Sequence, residues 1–245
     1  MYLLGFAPIN AQLMLAQNPQ IRKLVAAYPQ QLASAKDNAI VWKDGTSMAF
    51  EDGKTPSSYL RLLDDADLRD QMNTPYIIGK KYAIPQQNED PGRVRNEAFF
   101  KKMYGSTSAE VQQHLTTIDW FGTQLKVTTV NGVDAKLKAV AAQLSARPEL
   151  KKYLVKPGGS FLWRIISRTK RLSMHSFGIA IDINTAYSDY WQWAGKNTAE
   201  GSAGIKYKNR MPLEIVEIFE RHGFIWGGKW YHYDTMHFEY RPELL

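Results

Sequence analysis

The chain has 245 residues, no cysteine, and 31 Lys and Arg against 24 Asp and Glu, for a formal net charge of +7. A 44% hydrophobic share with 12% aromatics supports a sizeable packed core and excludes a mainly disordered chain. The missing cysteine excludes disulfides and thiolate metal sites, and no apolar run reaches the ~20 residues of a membrane-spanning helix.

The positive balance is either a solvated basic face or a match to an anionic partner such as a cell-wall polymer or a membrane surface. Lys80-Lys81, Lys101-Lys102 and Lys151-Lys152 stay isolated pairs, without the dense basic runs or motifs of a nucleic-acid binder. No nucleic-acid partner is expected.

Met1 to Gln12 is short and apolar but lacks a basic start, so it reads either as the remnant of a secretory signal or as a packed terminal segment. Leu13, Leu15, Ile21, Leu24 and Val25 fall at helical spacing and predict one or two helices between Ala11 and Ser34. Val41 to Gly53 reads as a hairpin turning at Asp-Gly. Ser57 to Met72 is helical in pattern, and Pro75 to Pro91, with three prolines, is a long loop. Asp90 to Arg95 reads as a surface loop or as a lid carrying Arg93 or Arg95, and an aromatic-basic stretch follows from Phe99 to Gly105.

A helix is predicted from Ser108 through Val111 and Leu115. Leu125 to Val130 is a β-branched strand, Asn131-Gly132 turns it, and Asp134 is expected to cap a helix running to about Ser145. Pro157-Gly158-Gly159 breaks the chain before Phe161 to Ile166. A strand from Ile179 to Ile183, a helix from Pro212 to His222 and a last strand from Met236 to Tyr240 complete the pattern. The mixed order, without internal repeats, predicts an α+β fold with a mainly antiparallel sheet and flanking helices. Residues 1–122 are expected to form a helical N-terminal extension, with a hairpin and a long loop, packed on a core of residues 123–245.

Two segments carry the chemistry. In Ser173-Met-His175-Ser-Phe-Gly178-Ile-Ala180-Ile-Asp182, the alternation after Gly178 places Ala180 and Asp182 on one strand face and the isoleucines on the other. Asp234-Thr-Met-His237 follows 52 residues after Asp182. Two imidazoles and a carboxylate leave room for water on a hydrolytic metal, and a second carboxylate can take that water's proton. The predicted ligands are therefore His175, Asp182 and His237, with Zn²⁺ as the cofactor and Asp234 as the general base. His232 lies close enough in sequence to rival them, whereas His114 and His222 sit in helical surroundings and read as structural or exposed.

The pattern Ser-x-His-x-x-Gly-x-Ala-x-Asp followed by Asp-x-x-His resembles the zinc D-alanyl-D-alanine carboxypeptidases and L-alanyl-D-glutamate endopeptidases that cut bacterial peptidoglycan stems. The resemblance runs from about Val127 to Glu243 and implies a hedgehog/DD-peptidase-like core. It implies the same three zinc ligands, Asp234 as base, and Ser173 in contact with substrate. The carboxypeptidase branch typically has Glu at the base position and the endopeptidase branch Asp, so Asp234 leaves the target bond open. The family's substrate-binding arginine is matched to Arg164, whose guanidinium can fork onto a carboxylate, with Arg168 and Arg171 as surface alternatives. Trp226, Trp230 and Tyr231 are expected to wall the groove, and for Trp226 a place in the core is the equal alternative.

The expected partner is a peptidoglycan stem peptide, met outside the cytoplasm. D-alanyl-D-alanine carboxypeptidase is the leading expectation. The alternatives are an L-alanyl-D-glutamate-type endopeptidase and a zinc-containing wall-binding module without catalysis. An acidic residue at 234 speaks against the module.

Overall fold

A computed structural model describes residues 18–194 and 199–245. The Met1–Gln12 segment, together with Leu13 and Leu15 of the first expected helix, lies outside the described residues. Helix α1 spans Pro19–Ala27, is capped by the Asn18 side chain accepting from Gln20 N–H, and buries Ile21 and Leu24. It does not continue to Ser34, because the residue before Pro29 is steered out of the helical region. Leu32–Lys36 is instead strand β1, antiparallel to β2 (Ala39–Trp42). Strand β3 (Ser47–Ala49) closes the expected hairpin with Val41 opposite Ser47.

The helical pattern of residues 57–72 is broken into α2 (Tyr59–Asp65) and α3 (Leu68–Asn73). Asp67 causes the break: its side chain accepts from Asp70 N–H and starts a new helix with a capping box. Pro75 to Pro91 is irregular as expected, and buried Lys229 ties it down by donating to the carbonyls of Ile77 and Gly79. The aromatic-basic stretch is a helix, α4 (Glu97–Tyr104), which buries Phe99, Phe100, Met103 and Tyr104 while its lysines face outward.

Helix α5 (Ser108–Gln112) stops short of Leu115, which opens β4 (Leu115–Trp120). Strand β4 pairs with β5 (Thr123–Thr128) in a hairpin whose turn, Phe121-Gly122, coincides with the expected boundary between extension and core. Buried residues from both sides of that boundary form one hydrophobic cluster. Helix α6 (Val133–Ser145) begins after Gly132, and Asp134 does not cap it but pairs with Lys138 one turn on. A short α7 (Lys151–Leu154) follows.

The site-bearing sheet comes last. Strands β6 (Ala180–Asp182), β7 (Phe224–Trp226) and β8 (His237–Tyr240) are ordered β6-β8-β7, all antiparallel. Helix α8 (Leu213–Arg221) covers one face, and Phe219 stacks on Phe238 with ring centres 3.9 Å apart. Ile181 pairs with Phe238 on that apolar face, whereas Ala180 with Glu239 and Asp182 with His237 share the other. Among the described residues, eight α-helices and three small antiparallel sheets make an α+β fold.

Candidate metal centre

The first ligand segment is a tight turn running into a strand. Residues Met174–Phe177 form one 3₁₀ turn, and Gly178 ends it at φ +68°. A Cβ on Gly178 would stand 2.7 Å from Leu115 Cδ2, so both its conformation and its space require glycine. Asp182 is then fixed by the Pro157-Gly158-Gly159 break: Gly158 N–H donates to its carbonyl at 2.7 Å, and its own N–H donates to Gly159 O at 2.8 Å.

His237 stands directly opposite Asp182 across β6 and β8. Its Nδ1 lies 3.0 Å from Asp182 Oδ1 and 3.2 Å from His175 Nε2. His175 Nε2 is 3.2 Å from the same carboxylate oxygen. One donor atom from each of the three residues falls within 4.8 Å of the others.

The outer nitrogens set which lone pairs face inward. His175 Nδ1 sits 2.6 Å from Ser160 O, which accepts its proton and leaves Nε2 toward the cluster. His237 Nε2 sits 3.0 Å from Glu239 Oε2, leaving Nδ1 toward the cluster. Without a cation, burial opposes a charge on His237, but Asp182 and Glu239 outweigh it and push its pKa up to about 10. Burial likewise works against the charge on Asp182, yet the two imidazoles hold its carboxyl well below the usual range. Two nitrogens and a carboxylate converge here on a point that favours positive charge, and this donor set fits a divalent metal ion.

Asp234 approaches through a turn in which its N–H donates to Gly227 O at 3.0 Å. Gly227 passes so close that a Cβ there would meet Asp234 O at 2.6 Å. Asp234 Oδ1 is buried with no hydrogen-bond partner among the described residues. Burial, with the Asp182 charge adding to it, raises its pKa to about 7. The four residues line a cavity of about 400 Å³, together with Ser173, Arg164 and Trp230.

The lining arginines differ in their commitments. Arg93 is ion-paired to Asp90 and Glu200, and Arg95 donates to Leu172 O at 2.8 Å. Arg164 is exposed and makes no ion pair among the described residues, and Ser173 N–H donates to its carbonyl at 3.0 Å. Arg171 was expected at the surface. Instead it is 8% exposed and held by Glu200 and Asp64, since two carboxylates draw it inward.

Trp230 walls the cavity with its ring centre 5.5 Å from that of His237, held by an Nε1–H bond to Pro91 O. Trp226 takes its core alternative, its Nε1 donating to Thr235 O. Tyr231 does not reach the cavity, because its hydroxyl is engaged with Ser202 O and Ile205 N–H. His232 lines the cavity but is no rival ligand: Asp90 holds Nδ1 at 2.6 Å, and Nε2 accepts from Gly201 N–H. His114 is exposed, and His222 caps the end of α8 against Gln143.

Asp90 to Arg95 is neither lid nor surface loop. Asp90, Pro91, Gly92 and Val94 are buried, because Asp90 pins His232 from beneath and Trp230 and Arg241 bond to the carbonyls of Pro91 and Gly92. Sequence reasoning assigned no role to Ser160 or Glu239. Glu239 carried a signal, since it sits two residues after His237 on the same strand face.

Two inward imidazoles and an aligned carboxylate form a group that could hold a metal ion, with the unpartnered Oδ1 of a second carboxylate beside it. Residues 167–240 match a family model described as D-alanyl-D-alanine carboxypeptidase. The matched segment is under a third of the chain and holds all four residues, so over that stretch the chain is similar to that family of peptidases. No curated protein and no solved structure gives a significant match. No helix among the described residues is long and apolar enough to cross a membrane.

Proposed function

We propose that the protein is a zinc-dependent peptidase outside the cytoplasm that hydrolyses a peptide bond in peptidoglycan stem peptides, as a D-alanyl-D-alanine carboxypeptidase. The observation that carries this reading is the meeting of His175, Asp182 and His237 beside Asp234, whose Oδ1 has no partner among the described residues, within the segment that matches the family. His175, Asp182 and His237 hold the Zn²⁺. The ion, when bound, supplies Lewis acidity that acidifies water and polarises the peptide carbonyl.

Asp234 takes a proton from water on its free Oδ1 and delivers it to the leaving amine. Its raised pKa suits that exchange near neutral pH. Arg164, with no carboxylate among the described residues to hold it, forks onto the terminal carboxylate of the stem peptide. Ser173, bonded to the Arg164 carbonyl, borders the same substrate end. Trp230 forms the apolar wall that limits water around the reacting amide.

The aspartate at 234 favours a second reading, an L-alanyl-D-glutamate-type endopeptidase. Digestion of purified muropeptides with zinc-loaded protein, followed by mass spectrometry, separates the two. Loss of one terminal alanine supports the carboxypeptidase, and a cut within the stem supports the endopeptidase. Binding to peptidoglycan with no cleavage of any stem overturns both in favour of a wall-binding module.

A further inference from the structure

His237 is the first member of a ladder. Along β8 and just beyond, His237, Glu239, Arg241 and Glu243 alternate with apolar or ring side chains, and all four are buried, at 7%, 1%, 0% and 0% exposure. Glu239 places Oε2 3.0 Å from His237 Nε2 and accepts from Arg241 Nη1 on Oε1 at 2.8 Å. Arg241 Nε donates to Glu243 Oε1 at 2.6 Å.

The ladder ends on residues distant in sequence. Tyr28 O–H donates to Glu243 Oε2 at 2.6 Å, and Gln71 Nε2 donates to Glu243 Oε1 at 3.2 Å. Arg241 also donates to Gly92 O at 2.7 Å and lies over the Phe100 ring, 4.9 Å from its centre. All of these partners come from the part of the chain that precedes the segment matching the family.

We infer that this preceding part positions the metal ligand His237, through a buried chain that runs from Tyr28 and Gln71 by way of Glu243, Arg241 and Glu239. A buried carboxylate or guanidinium is tolerated only while paired, so each member fixes the place of the next. Arg241 already has one buried nitrogen, Nη2, without a partner among the described residues, which leaves it little room to rearrange. Glu239, itself part of the cavity lining, is thereby held with Oε2 on the outer nitrogen of His237. Its bond to His237 Nε2 fixes the tautomer that turns Nδ1 toward Asp182. Glu239, Arg241, Glu243, Tyr28 and Gln71 are positioning residues.

The inference rests on His237 being a metal ligand, and the test separates the two ideas. Zn²⁺ affinity is measured by chelator competition, and the visible spectrum is recorded with Co²⁺ in its place, for wild type, Glu239→Gln, Tyr28→Phe and the double variant. Wild type that binds neither ion overturns the metal centre itself. With wild type binding, Glu239→Gln is expected to weaken Zn²⁺ about tenfold and to shift the Co²⁺ bands. Tyr28→Phe, which removes one hydroxyl and leaves the fold's packing in place, is expected to weaken Zn²⁺ by on the order of two- to tenfold. In the Glu239→Gln background the Tyr28 effect is expected to shrink, because the chain is already cut. Wild-type affinity and Co²⁺ bands in folded Tyr28→Phe overturn the inference, as does a Tyr28 effect of equal size in both backgrounds. If Glu239→Gln does not fold, the Tyr28→Phe comparison with Gln71→Leu decides, with weakened binding in both supporting the chain and wild-type binding in both overturning it.

Discussion

Asp182 and His237 are direct cross-strand partners 55 positions apart, and antiparallel pairing closes the loop between them and sets His237 Nδ1 3.0 Å from Asp182 Oδ1. Asp182 and Glu239 favour the protonated form of His237, and a metal ion held here would have to displace that proton. Because the pKa of His237 is pushed up to about 10, Zn²⁺ affinity is expected to rise about tenfold per pH unit between pH 7 and 9. Calorimetry in buffers of different ionisation enthalpy should record the released proton. An affinity independent of pH over that range would remove the proton from the site.

The same shifts fix the sign of a stability effect. The raised pKa of His237 stabilises the metal-free fold fully below its ordinary value of 6.5, and that contribution is lost as pH rises through about 10. For Asp234 the contribution is full below 3.8 and is lost through about 7. A cation held by His175, Asp182 and His237 would displace the His237 proton and, as a nearby positive charge, favour the ionised form of Asp234. The rise in Tm on adding Zn²⁺ is therefore expected to grow from pH 5 to pH 9, and a constant or shrinking rise would contradict these assignments.

Asp234→Asn keeps the shape of the side chain and removes its basicity. Hydrolysis of a stem peptide is expected to fall by roughly 10²- to 10⁴-fold, with bound zinc unchanged by elemental analysis. Full activity with zinc retained would take Asp234 out of the reaction.

Arg164→Ala is expected to lower kcat/KM on a substrate with a free terminal carboxylate by about 10- to 100-fold, mostly through KM. Amidating that carboxylate should erase the difference between wild type and variant. Arg168→Ala, at a neighbouring position of the cavity rim, serves as the comparison and is expected to change little.

Phe219→Ala removes the ring stacked on Phe238 and is expected to cost about 3–5 kcal/mol of unfolding free energy in urea melts. Lys138→Ala, which breaks an exposed pair with Asp134, should change stability by no more than about 0.5 kcal/mol. A near-neutral Phe219→Ala would mean that the apolar face of the last sheet is not a principal core.

Much of the site was legible because its residues are local and alternate. Ile179 to Asp182 announces a half-apolar strand by period, and Ser173 to Gly178 announces a turn by composition, so the donors could be placed before any tertiary contact was known. What was hidden depends on distant partners. Leu115 to Trp120 reads weakly alone and becomes a strand by pairing with Thr123 to Thr128. Glu97 to Tyr104 hides its helix because four of its eight residues, three of them aromatic, are buried against distant partners. Arg171 and the Asp90 to Arg95 segment look like surface by composition, and only Glu200, Asp64, His232 and Arg241, far away in the chain, reveal them as buried.

The strand order β6-β8-β7 has a consequence for how the molecule is completed. The last strand in the chain is the middle one of its sheet, flanked on both sides by strands made earlier. Until it slots between them, His237 has no fixed relation to His175 and Asp182, and the three donors do not exist as a set. Contacts this remote in sequence form late, since the loop between them must close first. Metal uptake is therefore expected to come late in folding, and its rate in a refolding experiment should report the insertion of a single central strand.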